Sequence, residues 1–275
     1  MLLNKLLESE EQIYLLETQE NELKTLNTLK KSLRKVLNKQ NENNIQQTLQ
    51  ELAELYTFYN AKDARLHAAS LQWTARFLVE RTANDAVKEK AANTAHFVAL
   101  LFQNFPGVIL FFLKEVYRFA PQLIPFRLTE DSIPVFEKIS FQGININEKV
   151  PPKEKDEFRI FINKISAVTS LFCALLAYDC YEPLDTSLCW FWLSAVCNKK
   201  LDKTFAYLLQ VFLEFAGKKL CEKYKKQFQK ILYYIKVNLI NEEECRKIQL
   251  EDGVVRILHK LINDLNVSAK PVGYY

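Results

Sequence analysis

The fold is indicated most clearly by residues 187–236, which read SLCWFWLSAVCNKKLDKTFAYLLQVFLEFAGKKLCEKYKKQFQKILYYIK. The first part of this stretch is short and almost wholly apolar, and the second is long and amphipathic with many lysines. No nucleophile–base pair, metal-ligand box or phosphate-binding loop lies within it. Two helices of this kind pack against neighbours and present a surface, which favours a scaffold or a regulator over an enzyme.

The scarcity of glycine extends this interpretation to the whole chain of 275 residues. The chain has five glycines, whereas β-hairpins and nucleotide-binding folds need glycine in their turns and loops. Its eight prolines fall at the edges of apparent helices or in loops. The sequence therefore predicts an all-α fold, built as a HEAT-like solenoid of helix pairs joined by short corners.

Two regions are predicted along the chain. Residues 1–40 are polar and spotted with leucines, some at seven-residue spacing whose phase slips, as in Leu16/Leu23 and Leu26/Leu33. This pattern predicts a leading helix or the remnant of a coiled coil. Residues 41–275 are predicted to form the HEAT-like helical domain, interrupted by an irregular loop at about 127–157, where Ser, Asn, Pro and charged residues cluster.

Charge and cysteine content exclude several classes of function. A net charge of +4 is small for a protein that binds nucleic acid or a membrane surface. The six cysteines include no CxxC pair, so we expect no metal site and mostly buried free thiols. The start, MLLNKLLESEEQ, has too short an apolar run to be a signal peptide, and we expect no membrane association. No GxxxxGK[ST], HExxH or GxSxG motif is present, and the sequence predicts that the chain is not an enzyme.

Two tryptophans mark the apolar helix. Trp190 and Trp192 are two residues apart, so they cannot share one face of a helix. We expect one of them in the core and the other at a helix–helix or partner interface. The alternative is that both pack within the domain.

Positive charge concentrates in two places. A basic amphipathic helix can bind an acidic partner, nucleic acid or anionic lipid, although a solvated helix face has the same composition. The candidate protein-interface residues on this helix are Lys218, Lys219, Lys223, Lys226 and Lys230. The second set is scattered and would form a polyphosphate site only if its helices are neighbours. It comprises Arg65, Arg76, Arg81, Lys114 and Arg118.

The order of segments resembles the C-terminal domain of the Gle-one (GLFG-lethal one) family of messenger-RNA export mediators. The matching segments are ARFLVE (75–80), NFPGVILFFLKEVYRFAPQLIPF (104–126), SLCWFWLSAVCN (187–198) and FLEFAGKKLCEKYKKQFQKILYYIK (212–236). The resemblance covers roughly residues 45–275 and rests on the order and spacing of these segments.

This resemblance implies a non-enzymatic activator of a DEAD-box RNA helicase. Members dock on both lobes of the helicase and hold them partly open, which stimulates ATP turnover at the cytoplasmic face of the nuclear pore. The resemblance also implies nucleoporins as partners, presence in the nucleus and the cytoplasm, and little direct binding of RNA.

Fungal members of the family use inositol hexakisphosphate as a tether to the helicase. By resemblance, Arg76 and Arg118 keep basic positions of that site, with Lys114 nearby. The chain departs from the fungal pattern where Glu80 replaces a histidine and Glu115 a cation. A carboxylate opposes a polyanion, so we expect the ligand to be weakly bound or not required. The other departures are Phe119 and Ala120.

Two further interpretations stay open at this point. One is a generic HEAT-like adaptor that binds peptides without acting on an ATPase. The other is a nucleic-acid-binding module that uses the basic helix, whose affinity would fall steeply with salt.

Overall fold

The computed structural model describes residues 20–41, 43–123, 155–178, 186–198 and 202–268, and these are helical with short connections. The α-helices in chain order are α1 Glu20–Asn38, α2 Ile45–Lys62, α3 Ala64–Asp85, α4 Lys88–Asn104, α5 Val108–Phe119, α6 Lys155–Tyr178, α7 Thr186–Cys197, α8 Lys203–Tyr234, α9 Glu242–Lys247 and α10 Asp252–Ser268. A 3₁₀ turn spans Pro121–Leu123, and a π-helical turn spans Ile235–Leu239.

The predicted leading region and the predicted loop lie partly outside the described residues. Of the leading region 1–40, residues 20–38 form α1, and residues 1–19 lie outside the described part of the chain. Of the predicted loop at 127–157, the last three residues begin α6 and the rest lie outside the described residues. The division into a leading region and a helical domain stays a prediction.

Contacts between Cα atoms divide the chain into two units. Among the described residues, the first unit contains 20–81 and 96–119, and the second contains 82–95, 120–123, 155–178, 186–198 and 202–268. Helices α3 and α4 each contribute residues to both units.

In the first unit, α1 and α2 pack through leucines at helical spacing. Leu26, Leu29 and Leu33 of α1 are buried, so α1 uses its apolar face inside the unit. The buried Tyr56 of α2 donates a hydrogen bond from Oη to Oγ1 of Thr74 on α3, at 2.8 Å. A buried hydroxyl with a partner fixes the two helices in one alignment, because losing that partner leaves a polar group unsatisfied.

In the second unit, the long helix α8 contacts α6, α7 and α10. It begins at a cap: the side chain of Asp202 accepts a hydrogen bond from the backbone N–H of Phe205 at 2.9 Å. Asp202 therefore caps the start of α8. Helix α6 is long and apolar enough to span a membrane by composition, but it is mostly buried, as a core helix is.

A glycine often marks the end of a helix, but Gly217 does not. Gly217 lies inside α8, and the helix is interrupted instead at Lys225, which has φ 43° and ψ −117°. A Cβ at Gly217 would lie 2.7 Å from Cδ1 of Leu265 on α10. The glycine therefore serves the close approach of two helices and does not mark a corner.

We expect Gly217→Ala to lower the free energy of unfolding by about 1 kcal/mol. Alanine favours a helix over glycine by roughly 1 kcal/mol, but overpacking of a core typically costs about 1–3 kcal/mol, so the clash with Leu265 outweighs the gain. Urea denaturation followed by circular dichroism measures the change.

The control is the same substitution in a Leu265→Ala background. With the Leu265 side chain removed, Gly217→Ala should stabilise the protein by up to about 1 kcal/mol. An equal effect of Gly217→Ala in both backgrounds would contradict the close approach of α8 and α10.

Candidate functional site

The first unit brings two of the predicted ligand-binding cations together. Helix α3 carries Arg76 and Glu80 one turn apart, and α5 carries Glu115 and Arg118. Oε1 of Glu80 lies 2.7 Å from Nε of Arg76 and 3.5 Å from Nη2 of Arg118. Oε2 of Glu115 lies 2.6 Å from Nε of Arg118. The convergence of Arg76 and Arg118, which the sequence left open, is therefore present, and two carboxylates lie within it.

The two carboxylates differ in their exposure. The side chain of Glu115 is 3% exposed, whereas that of Glu80 is 37% exposed. A buried carboxylate needs a cationic partner, so the Glu115–Arg118 pair is required by the fold itself. Glu80 lies at the surface and neutralises part of the charge of the two guanidinium groups.

Lys114 lies beside this cluster in a largely desolvated position. Burial lowers the pKa of Lys114 to about 8, because the ammonium form loses its hydration; Glu115 opposes this shift and Arg118 adds to it. Lys114 is therefore a weaker source of positive charge near neutral pH than a surface lysine.

A cavity of about 310 Å³ lies next to Glu80, between α1 and α3. It is lined by Asn27, Lys30, Lys31, Leu33, Arg34, Trp73, Phe77 and Glu80. Nζ of Lys30 lies 3.9 Å from the centre of the Trp73 ring, and Cζ of Arg76 lies 4.8 Å from the same centre. Two cations this close to one indole are attracted by its ring quadrupole.

Sequence reasoning missed three cations of this cavity: Lys30, Lys31 and Arg34. They lie at spacings of one, three and four residues on α1. Residues 1–40 are predicted to form only a leading helix or coiled-coil remnant, so their cations are not among the predicted site residues. Their spacing on one helix face was a usable signal, but only the packing of α1 on α3 places that face beside Arg76. Two other predicted cations serve the fold: Arg65 pairs with Glu22 at 2.8 Å, and Nη1 of Arg81 donates to the carbonyl of Leu37 at 3.0 Å.

The arrangement is suited to binding a polyanion. The cations and the aromatic wall offer charge and shape, while Glu80 competes for the two arginines. In the described part of the chain, no group of three or more His, Cys, Asp or Glu side chains is placed to hold a metal ion.

The candidate lysines of α8 lie on the surface of the second unit. Lys218, Lys223, Lys226 and Lys230 are exposed, and Lys219 is half-buried with Oε2 of Glu222 at 4.0 Å from its Nζ. The interruption at Lys225 separates Lys218, Lys219 and Lys223 from Lys226 and Lys230. The structure therefore does not place all five on one continuous helix face.

Of the two tryptophans, Trp192 lies in the core and Trp190 lies nearer the surface. Trp192 is 1% exposed, stacks on Phe212 with ring centres 4.3 Å apart, and donates from Nε1 to the carbonyl of Gln122 at 2.9 Å. Trp190 is half-buried and stacks on Tyr224 at 4.2 Å. Both rings have partners inside the unit, with Trp190 nearer the surface.

Comparisons with known proteins agree with this architecture. A search of curated proteins finds no match. Two of the similar solved structures contain the C-terminal domain of an S. cerevisiae Dbp5 variant bound to Gle1 and IP6. In one, Gle1 also carries a substitution; the match has a TM-score of 0.70 and 17% identity over 98% of this chain and 96% of that chain. The other has a TM-score of 0.71 and 17% identity over 97% of this chain and 95% of that chain.

The structural likeness confirms the predicted fold class, all-α and HEAT-like. The model of the GLE1-like protein family matches residues 5–236, which is most of the chain and includes the helices that carry Arg76, Arg118 and the lysines of α8. The resemblance inferred from the ordered segments is confirmed, and the chain belongs to the family of GLE1-like proteins.

Proposed function

We propose that this chain is a non-enzymatic activator of a DEAD-box RNA helicase in messenger-RNA export. Its membership of the GLE1-like family carries the proposal. The similar S. cerevisiae structures are complexes with a domain of Dbp5, which supports a helicase as the partner. Nucleoporins as further partners and a location at the cytoplasmic face of the nuclear pore belong to the same proposal.

The proposed mechanism is a shift in a conformational equilibrium. A rigid helical surface that fits the open arrangement of the two helicase lobes better than the closed one increases the population of the open state. Product release then accelerates, and turnover rises without any chemistry by the activator. The extent of stimulation is limited by the difference in affinity for the two states.

We propose further that inositol hexakisphosphate contributes less here than in the S. cerevisiae complexes that contain it. The support is the pairing of Arg76 and Arg118 with Glu80 and of Arg118 with Glu115. A polyanion must compete with these carboxylates for the guanidinium groups, and it is repelled by both. Lys30, Lys31 and Arg34 act in the opposite direction, so weak binding is expected.

The test is the RNA-dependent ATPase rate of the export DEAD-box helicase from the same organism. It is measured with and without the chain, each with and without inositol hexakisphosphate. We expect the chain to stimulate turnover several-fold and the inositol phosphate to add little. Absence of stimulation under all conditions would favour the peptide-binding adaptor, and stimulation only with the inositol phosphate would overturn the proposed independence.

A further inference from the structure

The surface of the second unit carries an apolar side chain next to a run of lysines. Phe191 of α7 is 59% exposed, although its helix neighbours Cys189, Trp192 and Leu193 are buried. Lysines dominate residues 218–230 of α8, where six lysines accompany one glutamate. A single exposed phenylalanine is ordinary, so its setting decides whether it has a role.

Two contacts hold α7 and α8 together at this place. Trp190 stacks on Tyr224 with ring centres 4.2 Å apart and planes inclined by 23°. Nζ of Lys223 donates to Oγ1 of Thr186 at 3.0 Å. The position of Phe191 relative to residues 223–226 is therefore fixed by packing, which makes the surface preorganised for a partner.

The backbone of α8 is strained at the same point. Lys225 has φ 43° and ψ −117° within the helix, a conformation that costs a non-glycine residue about 1–3 kcal/mol. Lys225 is exposed, so no core packing of its own side chain explains this conformation. Residues held in such conformations cluster at ligand-binding and switch segments, so the interruption motivates a search for a function here.

Four of the six lysines lack a carboxylate partner within the described part of the chain. Among the residues that the structure describes, no carboxylate lies at ion-pair distance from Lys218, Lys225, Lys226 or Lys230. Glu222 lies 4.0 Å from Lys219, which is the edge of the ion-pair range. A partner with carboxylates would supply the missing negative charge.

We infer that Phe191, Tyr224, Lys225 and Lys226 form a docking surface for an acidic peptide with an apolar anchor residue. The anchor packs on the exposed ring of Phe191 beside the Trp190–Tyr224 stack, and the acidic residues on either side of it pair with the lysines. Binding energy at such surfaces concentrates in one or two buried anchors surrounded by complementary charge.

An acidic peptide fits better than single-stranded RNA. Non-specific binding of RNA uses several exposed aromatic faces on which successive bases stack. Here Trp190 and Tyr224 occupy one face of each other, and Phe191 is the exposed ring of these three. The exposed Tyr233 and Tyr234 lie at least two helical turns beyond Tyr224 on α8, so they are not neighbours on which consecutive bases would stack with Phe191.

The experiment measures direct binding by fluorescence anisotropy with two labelled probes. One is a peptide of about 12 residues, rich in Glu with a central Leu-Phe pair, and the other is an oligouridine RNA of equal net charge. We expect the peptide to bind more tightly than the RNA. Phe191→Ala and Lys226→Glu should each weaken peptide binding roughly tenfold, equivalent to about 1.4 kcal/mol.

The matched control is Lys260→Glu, which makes the same charge change at an exposed position of α10. It should leave peptide binding nearly unchanged, and thermal melts establish that all variants are folded. The inference is overturned by equal losses for Lys226→Glu and Lys260→Glu, by an intact affinity in Phe191→Ala, by no peptide binding at all, or by tighter binding of the RNA. The inference deepens the proposed function and relies on it for its biological setting, but this assay contains no helicase, so the two can fail separately.

Discussion

Trp192→Ala should lower the free energy of unfolding by about 3–5 kcal/mol, the usual cost of removing a fully buried large aromatic side chain. The substitution removes the stack on Phe212 at 4.3 Å and leaves the carbonyl of Gln122 without the indole donor at 2.9 Å. For a chain of this size the melting temperature should fall by roughly 10 °C. Thermal and urea denaturation monitored by circular dichroism measure both quantities.

Trp190→Ala is the matched control, because the same side chain is removed two residues away. Trp190 is half-buried and loses only the stack on Tyr224, so its cost should be clearly smaller. Trp192→Phe adds a second comparison: it keeps an aromatic ring but loses the Nε1 donor, and should cost about 1–3 kcal/mol. If Trp190→Ala destabilised the protein as much as Trp192→Ala, the assignment of core and surface tryptophans would be wrong.

The second large effect is expected where Glu80 lies between Arg76 and Arg118. Glu80→Lys should tighten binding of inositol hexakisphosphate roughly tenfold or more, which corresponds to at least about 1.4 kcal/mol. The substitution releases Arg76 and Arg118 from the carboxylate that lies 2.7 Å and 3.5 Å from them, and it adds a cation at the edge of the cavity. Isothermal titration calorimetry with the inositol phosphate measures the change.

Glu54→Lys provides the control for this experiment. Glu54 is an exposed residue of α2 that does not line the cavity, and its replacement changes the net charge by the same amount. The two variants therefore differ only in where the charge is placed. Equal affinities of Glu80→Lys and Glu54→Lys would show that overall charge, and not the release of the arginines, controls binding.

Local patterns in the sequence were sufficient to predict most of the helices. The scarcity of glycine and the spacing of apolar residues indicate all-α structure. Both can be recognised from short windows of sequence, without knowing which distant residues are in contact. Asp202 before Lys203 indicates a helix start for the same reason: the capping bond is local. The chain order of family-like segments then identified the fold.

The features that the sequence did not predict depend on contacts between residues far apart in sequence. A glycine at position 217 indicates a helix end when only its neighbours in sequence are considered, but its lack of a side chain makes room for Leu265. The interruption at Lys225 has no local signal, since lysine is an ordinary helix residue. Lys30, Lys31 and Arg34 were missed because only the packing of α1 on α3 places them beside Trp73 and Arg76.

At the candidate site, too, the sequence identified residues but not the contacts between them. Arg76, Arg118 and the two departures Glu80 and Glu115 could be named from the ordered segments, but the pairing among them could not. A formal charge count treats each arginine as available, whereas the structure places a carboxylate within 2.7 Å of each Nε. Only these distances show that part of the positive charge is already used inside the protein.

The π-helical turn at Ile235–Leu239 limits how the end of the chain can vary in length. Its backbone bond from Ile240 N–H to the Ile235 carbonyl, at 3.0 Å, encloses one residue more than an α-helical turn does. Each residue of an α-helix turns the chain by about 100°. Loss of one residue here would rotate α9 and α10 by that angle, and Leu265 would no longer meet Gly217. Deleting one residue from this turn should therefore disturb the packing of α8 on α10 more than replacing one of its exposed side chains.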